Sequence, residues 1–384
     1  MRKQTIISAL MKFETTHSTE IGGDANTHAH DVVPMWKKLR QKDGFNAFSK
    51  PVDAGPVSGK RRKPNLAYVC DDSQSLRLQR RYKGLENPNN RCYFNSVIQC
   101  LLYCPPARKT IEIVLQHALS IGVLREIRIL FNRMTNNDAS AYLSPSECFK
   151  AVMNTKECKS VQMSLDNRQE DVHEFLLKLL EHFDEQLIKI AETYNLPHIF
   201  NIHLRSTVTC KRCLRSNDST EYLWLLSLPF PLADNDDAQY YVSHALHINS
   251  LIDSYFNVEN LHEHSCSQCS FVGGTEKKFS IINAPQLLVL HLSRFTSGFE
   301  KIDTFVEFTT ELSTDNIRDG NGQQIRYRLT GMIRHTGPSI AAGHYISYVL
   351  IDGNWYEAND KHMRKVSWQT VRRLHVYMLF YEPL

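Results

Sequence analysis

Across 384 residues there is no apolar run long enough to span a bilayer, and Ile6-Ile7-Ser8-Ala9-Leu10-Met11 falls short of a secretory h-region. These absences lead to the expectation of an intracellular protein, in the nucleus, the cytoplasm or both, with no membrane partner. A Gly-rich phosphate cradle, a glycosidase carboxylate pair and a His-Glu-x-x-His helix are missing as well, which sets aside the chemistries those motifs carry. With no internal repeat, a solenoid is excluded. Cysteine is not scarce at ten residues, but a disulfide framework belongs to short secreted chains, and four of the ten form two Cys-x-x-Cys pairs. Reduced thiols and a metal site fit that distribution better.

A hydrophobic fraction of 42% in a chain of this length can bury one large domain with an appendage. Residues 1–83 hold 16 Lys+Arg against 8 Asp+Glu. From the whole-chain totals of 45 and 41, this leaves 29 against 33 for residues 84–384. Only the leader is basic. Residues 1–80 show no sustained hydrophobic period and are predicted to be a mostly disordered extension, a candidate for binding an adaptor. Within it, Lys60-Arg61-Arg62-Lys63 reads as a nuclear address or as a solvated linker charge run.

Ordered signals begin at Gly84. Tyr93, Phe94, Val97, Ile98, Leu101 and Leu102 recur at helical spacing before Pro105-Pro106, placing Cys92 at a helix N-terminus. Val172, Phe175, Leu176, Leu179, Leu180 and Phe183 form a stronger helical stripe with Asp171 and Glu174 at its start. Strand-like runs follow at 287–292, 344–351 and 376–381. Helices first and strands later argue for an α+β fold with an antiparallel sheet.

A thiol attacks only as thiolate, so a catalytic cysteine needs a helix N-terminus or a neighbouring imidazole to favour the anion. Cys92 has the first by position. The string Gly84-Leu85-Glu86-Asn87-Pro88-Asn89-Asn90-Arg91-Cys92-Tyr93-Phe94-Asn95-Ser96-Val97-Ile98-Gln99-Cys100-Leu101 resembles the cysteine box of the ubiquitin-specific proteases, Gly-Leu-x-Asn-x-Gly-Asn-Thr-Cys-Tyr-x-Asn-Ser-x-x-Gln-x-Leu. By that resemblance Cys92 is the nucleophile and Asn87 donates a hydrogen bond to the oxyanion. Asn89 stands where the family has Gly, and its tolerance of left-handed backbone suits it to keep the loop. Arg91 replaces Thr, and its charge favours the thiolate or its bulk crowds the cleft.

Gly343-His344-Tyr345 and, after the turn Asp352-Gly353-Asn354, Trp355 through Asn359-Asp360 resemble the family's histidine box. His344 is then the base, Asn359 its orienting partner and Asp360 a support. The turn predicts a hairpin. Centred on Gly353, it sets residue 362 opposite 344, so Asn359 needs an offset of about three residues, from a bulge or departing strand.

Gln169, Glu170, Asp171 and Glu174 resemble the family motif lining the channel for ubiquitin's tail, Leu-Arg-Leu-Arg-Gly-Gly, where carboxylates match guanidinium groups. By the same resemblance Gly343 and Tyr345 line that channel, and residues 335–343 look like a small, mobile loop that closes over it. Leu226-Ser227-Leu228-Pro229 and Leu292-Ser293-Arg294-Phe295 resemble core strand motifs of the family.

Cys210, Cys213, Cys266 and Cys269 have the number and local spacing of a structural zinc site, and the 52 residues between the pairs make it join distant segments, as in the family's fingers. The resemblance implies a papain-like core with a helical thumb (84–200), zinc-bearing β fingers (about 205–280) and an antiparallel-sheet palm (281–384) within a catalytic domain at 81–384. It implies a thiol-dependent hydrolase cleaving after ubiquitin's C-terminal Gly through an acyl-thioester, with ubiquitin and ubiquitinated proteins as partners. Two alternatives stay open. One is a weak or inactive ubiquitin-binding relative, motivated by Asn89 and Arg91. The other is a zinc-ribbon nucleic-acid binder, against which the net-negative body stands.

Overall fold

The computed structural model describes residues 82–108, 122–136, 140–163, 165, 168–190, 200–231, 246–296, 300–318, 322–340 and 342–384, with residues 184–190 described through their backbone alone. The leader at 1–80, its basic cluster at 60–63, and Asp166 and Asn167 just before the channel residues at 169–174 lie outside the described residues.

The first part of the domain is helical: β1 (Gly84–Leu85), α1 (Cys92–Tyr103), α2 (Gly122–Thr135), β2 (Tyr142–Leu143), α3 (Ser146–Met153), α4 (Lys156–Ser160) and α5 (Val172–Ile190). All twelve residues of α1 are buried. A helix covered on every side belongs inside a domain, and α1 lies between the other helices and the main sheet. Phe94 holds this contact, with ring centroids 5.3 Å from Phe149 on α3 and 5.6 Å from Phe175 on α5. Truncating such a side chain to Ala costs about 3–5 kcal/mol.

Next come β3 (Ile202–Cys210), β4 (Ser216–Leu223), β5 (Leu226–Pro229), β6 (Leu246–His247), α6 (Ile248–Phe256), β7 (Glu259–Leu261) and β8 (Thr275–Asn283). The last third holds β9 (Leu288–Ser293), β10 (Val306–Glu307), β11 (Glu311–Leu312), β12 (Tyr327–Ser339), β13 (Ala342–Ile351), β14 (Asn354–Asn359), β15 (His362–Val366), α7 (Trp368–Val371) and β16 (Val376–Pro383). Two large sheets result. The main one runs β15-β14-β13-β12-β16-β9-β5 with β11 also on β12, and the finger sheet runs β4-β3-β8-β7.

The main sheet departs from the purely antiparallel expectation at one edge, where β5 pairs in parallel with β9. Residues 226–229, which resemble a core strand motif, belong to the main sheet although they lie within the stretch of about 205–280 assigned to the fingers. The reason is packing: Leu226 and Leu228 point into the core that α6 caps. Both faces of the main sheet are covered, which explains the nearly unbroken apolar run of β9. Val289 faces α1 and α5, whereas Leu288, Leu290 and Leu292 face the opposite core with Leu251 and Ile252 of α6. A one-residue slip would exchange the two sets, so burial itself fixes the register.

Candidate active site

Cys92 is the first residue of α1 and is 2% exposed. The amide N–H groups of a first helical turn have no partner within their own helix, so the thiol sits where a negative charge is favoured. The preceding loop is anchored by Asn87, whose Oδ1 accepts from the Arg91 backbone N–H at 2.7 Å. The left-handed residue of this loop is Asn90, at φ 49°, so the backbone role expected of Asn89 falls one position later. Arg91 turns its guanidinium over the Phe149 ring, 4.2 Å from the centroid, with Nη1 3.4 Å from Ser146 Oγ. Its charge is held on α3.

His344 arrives on β13. The β13–β14 hairpin forms at Asp352-Gly353, both at positive φ, with Ile351 opposite Asn354, so the ladder extrapolates to residue 361 opposite His344, one short of the sequence expectation. The ladder ends at Ser347–Ala358, and Asn359 instead pairs with His362 of β15 across a turn with Asp360 at φ 48°. This departing strand frees the Asn359 side chain to reach back. His344 Nε2 lies 2.7 Å from Asn359 Oδ1 and 3.7 Å from Asp360 Oδ2. An amide oxygen only accepts, so Nε2 carries the proton and Nδ1 is left to serve the thiol. A hydrogen bond with Cys92 is the main influence raising the His344 pKa to about 9. Burial opposes it, and Asn359 and the charges of Cys92 and Asp360 reinforce it.

Asp360 joins these parts. Its Oδ2 accepts from Asn87 Nδ2 at 2.9 Å, its Oδ1 from Asn95 Nδ2 at 2.8 Å, and its carbonyl from the Leu85 N–H at 2.8 Å. One N–H of the Asn87 amide is thereby fixed and its second remains for a substrate oxygen. Gly84 is required by this crowding, because a Cβ there would collide with the Asp360–Lys361 backbone.

The expected channel residues divide into two groups. Gln169 Oε1 accepts the Gly343 N–H at 2.9 Å and so holds the entry to His344. Asp171 caps α5, Oδ1 accepting the His173 and Glu174 N–H groups at 2.6 and 3.2 Å, while Oδ2 accepts the Tyr377 hydroxyl at 2.6 Å. Its carboxylate is thus occupied within the fold. Tyr345, 1% exposed, lies under the cleft wall, because alternation along β13 turns it toward the core shared with α1. Glu170 and Glu174 are the carboxylates without such work. Burial raises both pKa values, and the charge of Glu174 adds for Glu170, that of Asp171 for Glu174. The stretch expected as a mobile loop is the bulged end of the β12–β13 hairpin, with Thr336 opposite His344 and Ser339 opposite Ala342. Gly337, at φ 143°, permits the bulge.

Sequence reasoning assigned no role to Asn95 or to Lys301, whose Nζ donates to the His335 and Gly337 carbonyls at 3.2 and 3.0 Å and braces this bulge. Only Asn95 carried a signal, as one of three polar residues, with Ser96 and Gln99, in a largely apolar helix.

At the far end of the finger sheet, Cys210 ends β3, Cys213 follows it, and Cys266 and Cys269 precede β8. Their four sulfurs lie within 4.8 Å of one another, with Cys210–Cys269 and Cys213–Cys266 separations of 3.7 Å. Four thiolates around a tetrahedral zinc at ~2.3 Å stand about 3.8 Å apart, so the donor set fits that ion. The two knuckles repeat one geometry: Leu214 and Ser270, each following the second cysteine, adopt φ 59° and 56°. Backbone N–H groups of Cys269 and Gln268 pull the Cys266 pKa down to about 6, which prepares a thiolate ligand. His262 and His264, a few residues before Cys266 in the sequence, are exposed and outside the cluster.

Comparison with known proteins gives a match between residues 83–381 and the model of the ubiquitin carboxyl-terminal hydrolase family. Ubiquitin carboxyl-terminal hydrolase 23 of Arabidopsis thaliana is 30% identical over 314 residues, 78% of this chain and 35% of the relative. Ubiquitin carboxyl-terminal hydrolase 42 of Homo sapiens is 27% identical over 78% of this chain and 22% of its own length. The chain spans about a third of the length of the first of these curated relatives. Among solved structures, the SAGA Ubp8/Sgf11/Sus1/Sgf73 DUB module bound to ubiquitin aldehyde superposes with a TM-score of 0.64 at 22% identity, over 80% of this chain and 71% of that one. That likeness is one of fold.

Proposed function

The chain belongs to the ubiquitin carboxyl-terminal hydrolase family, and from that premise we propose that it is a cysteine-type deubiquitinase hydrolysing the isopeptide or peptide bond after the C-terminal Gly of ubiquitin. The observation that carries this reading is the joined triad. A thiol at a helix N-terminus interacts with an imidazole, raising its pKa, and the imidazole Nε2 is fixed by Asn359 at 2.7 Å.

The Cys92 thiolate attacks the terminal glycine carbonyl, and the oxyanion meets the free N–H of Asn87 and the N-terminal amides of α1. A preorganised donor of this kind lowers the barrier by about 3 kcal/mol. The His344 imidazolium then protonates the departing lysine amine, leaving an acyl-thioester. Neutral His344 takes a proton from water, whose oxygen attacks the thioester, and ubiquitin leaves with its carboxylate. Glu170 and Glu174 supply negative charge for the arginines of the tail, since two half-buried carboxylates near one another gain from a shared cation.

Cys210, Cys213, Cys266 and Cys269 hold a structural zinc, which ties the two knuckles together when bound. Adaptor binding and nuclear address are assigned to residues 1–80 and 60–63 from sequence alone. The experiment is labelling with a ubiquitin C-terminal electrophile, run in parallel with ubiquitin-like modifiers. Wild type is labelled and Cys92→Ala is not; labelling of the Ala variant overturns the assignment, and ubiquitin binding without turnover makes the protein a non-catalytic relative.

A further inference from the structure

Asn95 lies on α1, one turn beyond the nucleophile, and is 2% exposed. Its amide nitrogen faces three acceptors, Asp360 Oδ1 at 2.8 Å, the Glu86 carbonyl at 3.2 Å and the Leu85 carbonyl at 3.3 Å. Its own Oδ1 is buried with no hydrogen-bond partner. A buried polar side chain left partly unsatisfied is costly in a helix whose neighbours are almost all apolar, and an aliphatic residue would avoid that cost. The compensation lies in the shortest contact, a charge-assisted bond to Asp360.

That carboxylate cannot turn without consequence. With Oδ1 on Asn95, Oδ2 is directed at the Asn87 amide at 2.9 Å and stands 3.7 Å from His344 Nε2. We propose, on the basis of the deubiquitinase reading above, that Asn95 is a positioning residue: by holding one oxygen of Asp360, it orients the other to fix the oxyanion donor Asn87 beside His344. The same amide ties β1 to α1, so the strand leading to Asn87, the helix bearing Cys92 and the turn after Asn359 meet at one side chain.

A double-substitution cycle on the full chain tests this, read in kcat and KM for a fluorogenic ubiquitin C-terminal amide and in the thermal unfolding midpoint. Asn95→Asp sets a second carboxylate against Asp360 and is expected to lower kcat by about 100-fold, the scale of a misplaced catalytic group, with KM within about threefold. In an Asp360→Asn background the amide–carboxylate pair is restored in reverse, with the new amide oxygen still facing Asn87. There the same substitution should cost at least tenfold less in kcat and clearly less in unfolding midpoint, the remaining loss coming from the Leu85 and Glu86 carbonyls that still face the new carboxylate. Equal effects of Asn95→Asp in both backgrounds overturn the proposal. So does coupling in the unfolding midpoint without coupling in kcat, which would leave Asn95 a structural tie alone. A wild-type enzyme silent on the ubiquitin amide sinks the deubiquitinase reading instead, while the unfolding cycle still decides whether the Asn95–Asp360 bond exists.

Discussion

The catalytic seam and the finger tip each gather cysteine sulfur, but by opposite means. At the seam one thiol is buried on a helix N-terminus and its anion is matched by a single cation, His344, raised to about 9 largely through that contact. At the tip four thiols converge within 4.8 Å, an arrangement that only a metal ion makes favourable once several are ionised. Cys100, eight residues along from Cys92 on the same helix, shows what either setting adds: fully enclosed and with no cation, it is pushed well above the ordinary thiol value by burial. Reactivity here follows from the partner offered to the anion, since both helical thiols are equally buried.

The comparison can be broken or sharpened by substitution. Cys92→Ala should lower ubiquitin-amide turnover by on the order of 10⁴-fold or more, with zinc content unchanged by atomic absorption. Cys269→Ala should do the converse. Zinc should fall from one per chain towards none, and proteolysis should open the finger sheet, because structural zinc contributes roughly 10–16 kcal/mol to such sites. Alkylation of Cys92 by iodoacetamide should then stay within about threefold of wild type; a larger change would mean that the two regions are coupled.

A third effect is on pH. The folded His344 pKa of about 9 exceeds the free imidazole value of ~6.5, so its stabilising contacts are fully present below pH ~6.5 and are lost as pH rises through about 9. The kcat/KM profile should fall on its alkaline side near that value. Asn359→Ala should move the limb to lower pH and cost about 100-fold in rate, and an unmoved limb would remove Asn359 from the triad. The smallest effect expected is from Gly84→Ala, where the added methyl meets the Asp360–Lys361 backbone. It should cost about 1–3 kcal/mol by denaturant unfolding, and a neutral result would show that the β1–Asp360 contact yields.

The local features were legible wherever one segment carried its own signal. The helix beginning at Cys92, the stripe from Val172 and the Asp352-Gly353 turn all follow from periodicity and turn chemistry, which act over a few residues. Local signals were silent where a residue's surroundings depend on a distant chain segment. The bond from Tyr377 to Asp171, 206 positions away, is invisible from the neighbours of Asp171. Tyr345 looked like a cleft residue because its face is set by β13's register against β12 and by the helices beneath. Residues 226–229 were legible as a core strand, but their parallel pairing with β9 has no local signature.

By itself the sequence determined the residue types able to do the chemistry, the helix start that favours an anion at Cys92, and the two cysteine knuckles. Those rest on short-range geometry and on functional groups that no fold can supply from elsewhere. Tertiary structure decided which groups meet: that Asp360 turns back to Asn87 and Asn95 as well as lying near His344, and that the β13–β14 ladder ends early enough to release Asn359. Those meetings depend on packing two faces of a sheet at once, a condition distributed over the whole domain and written in no single segment.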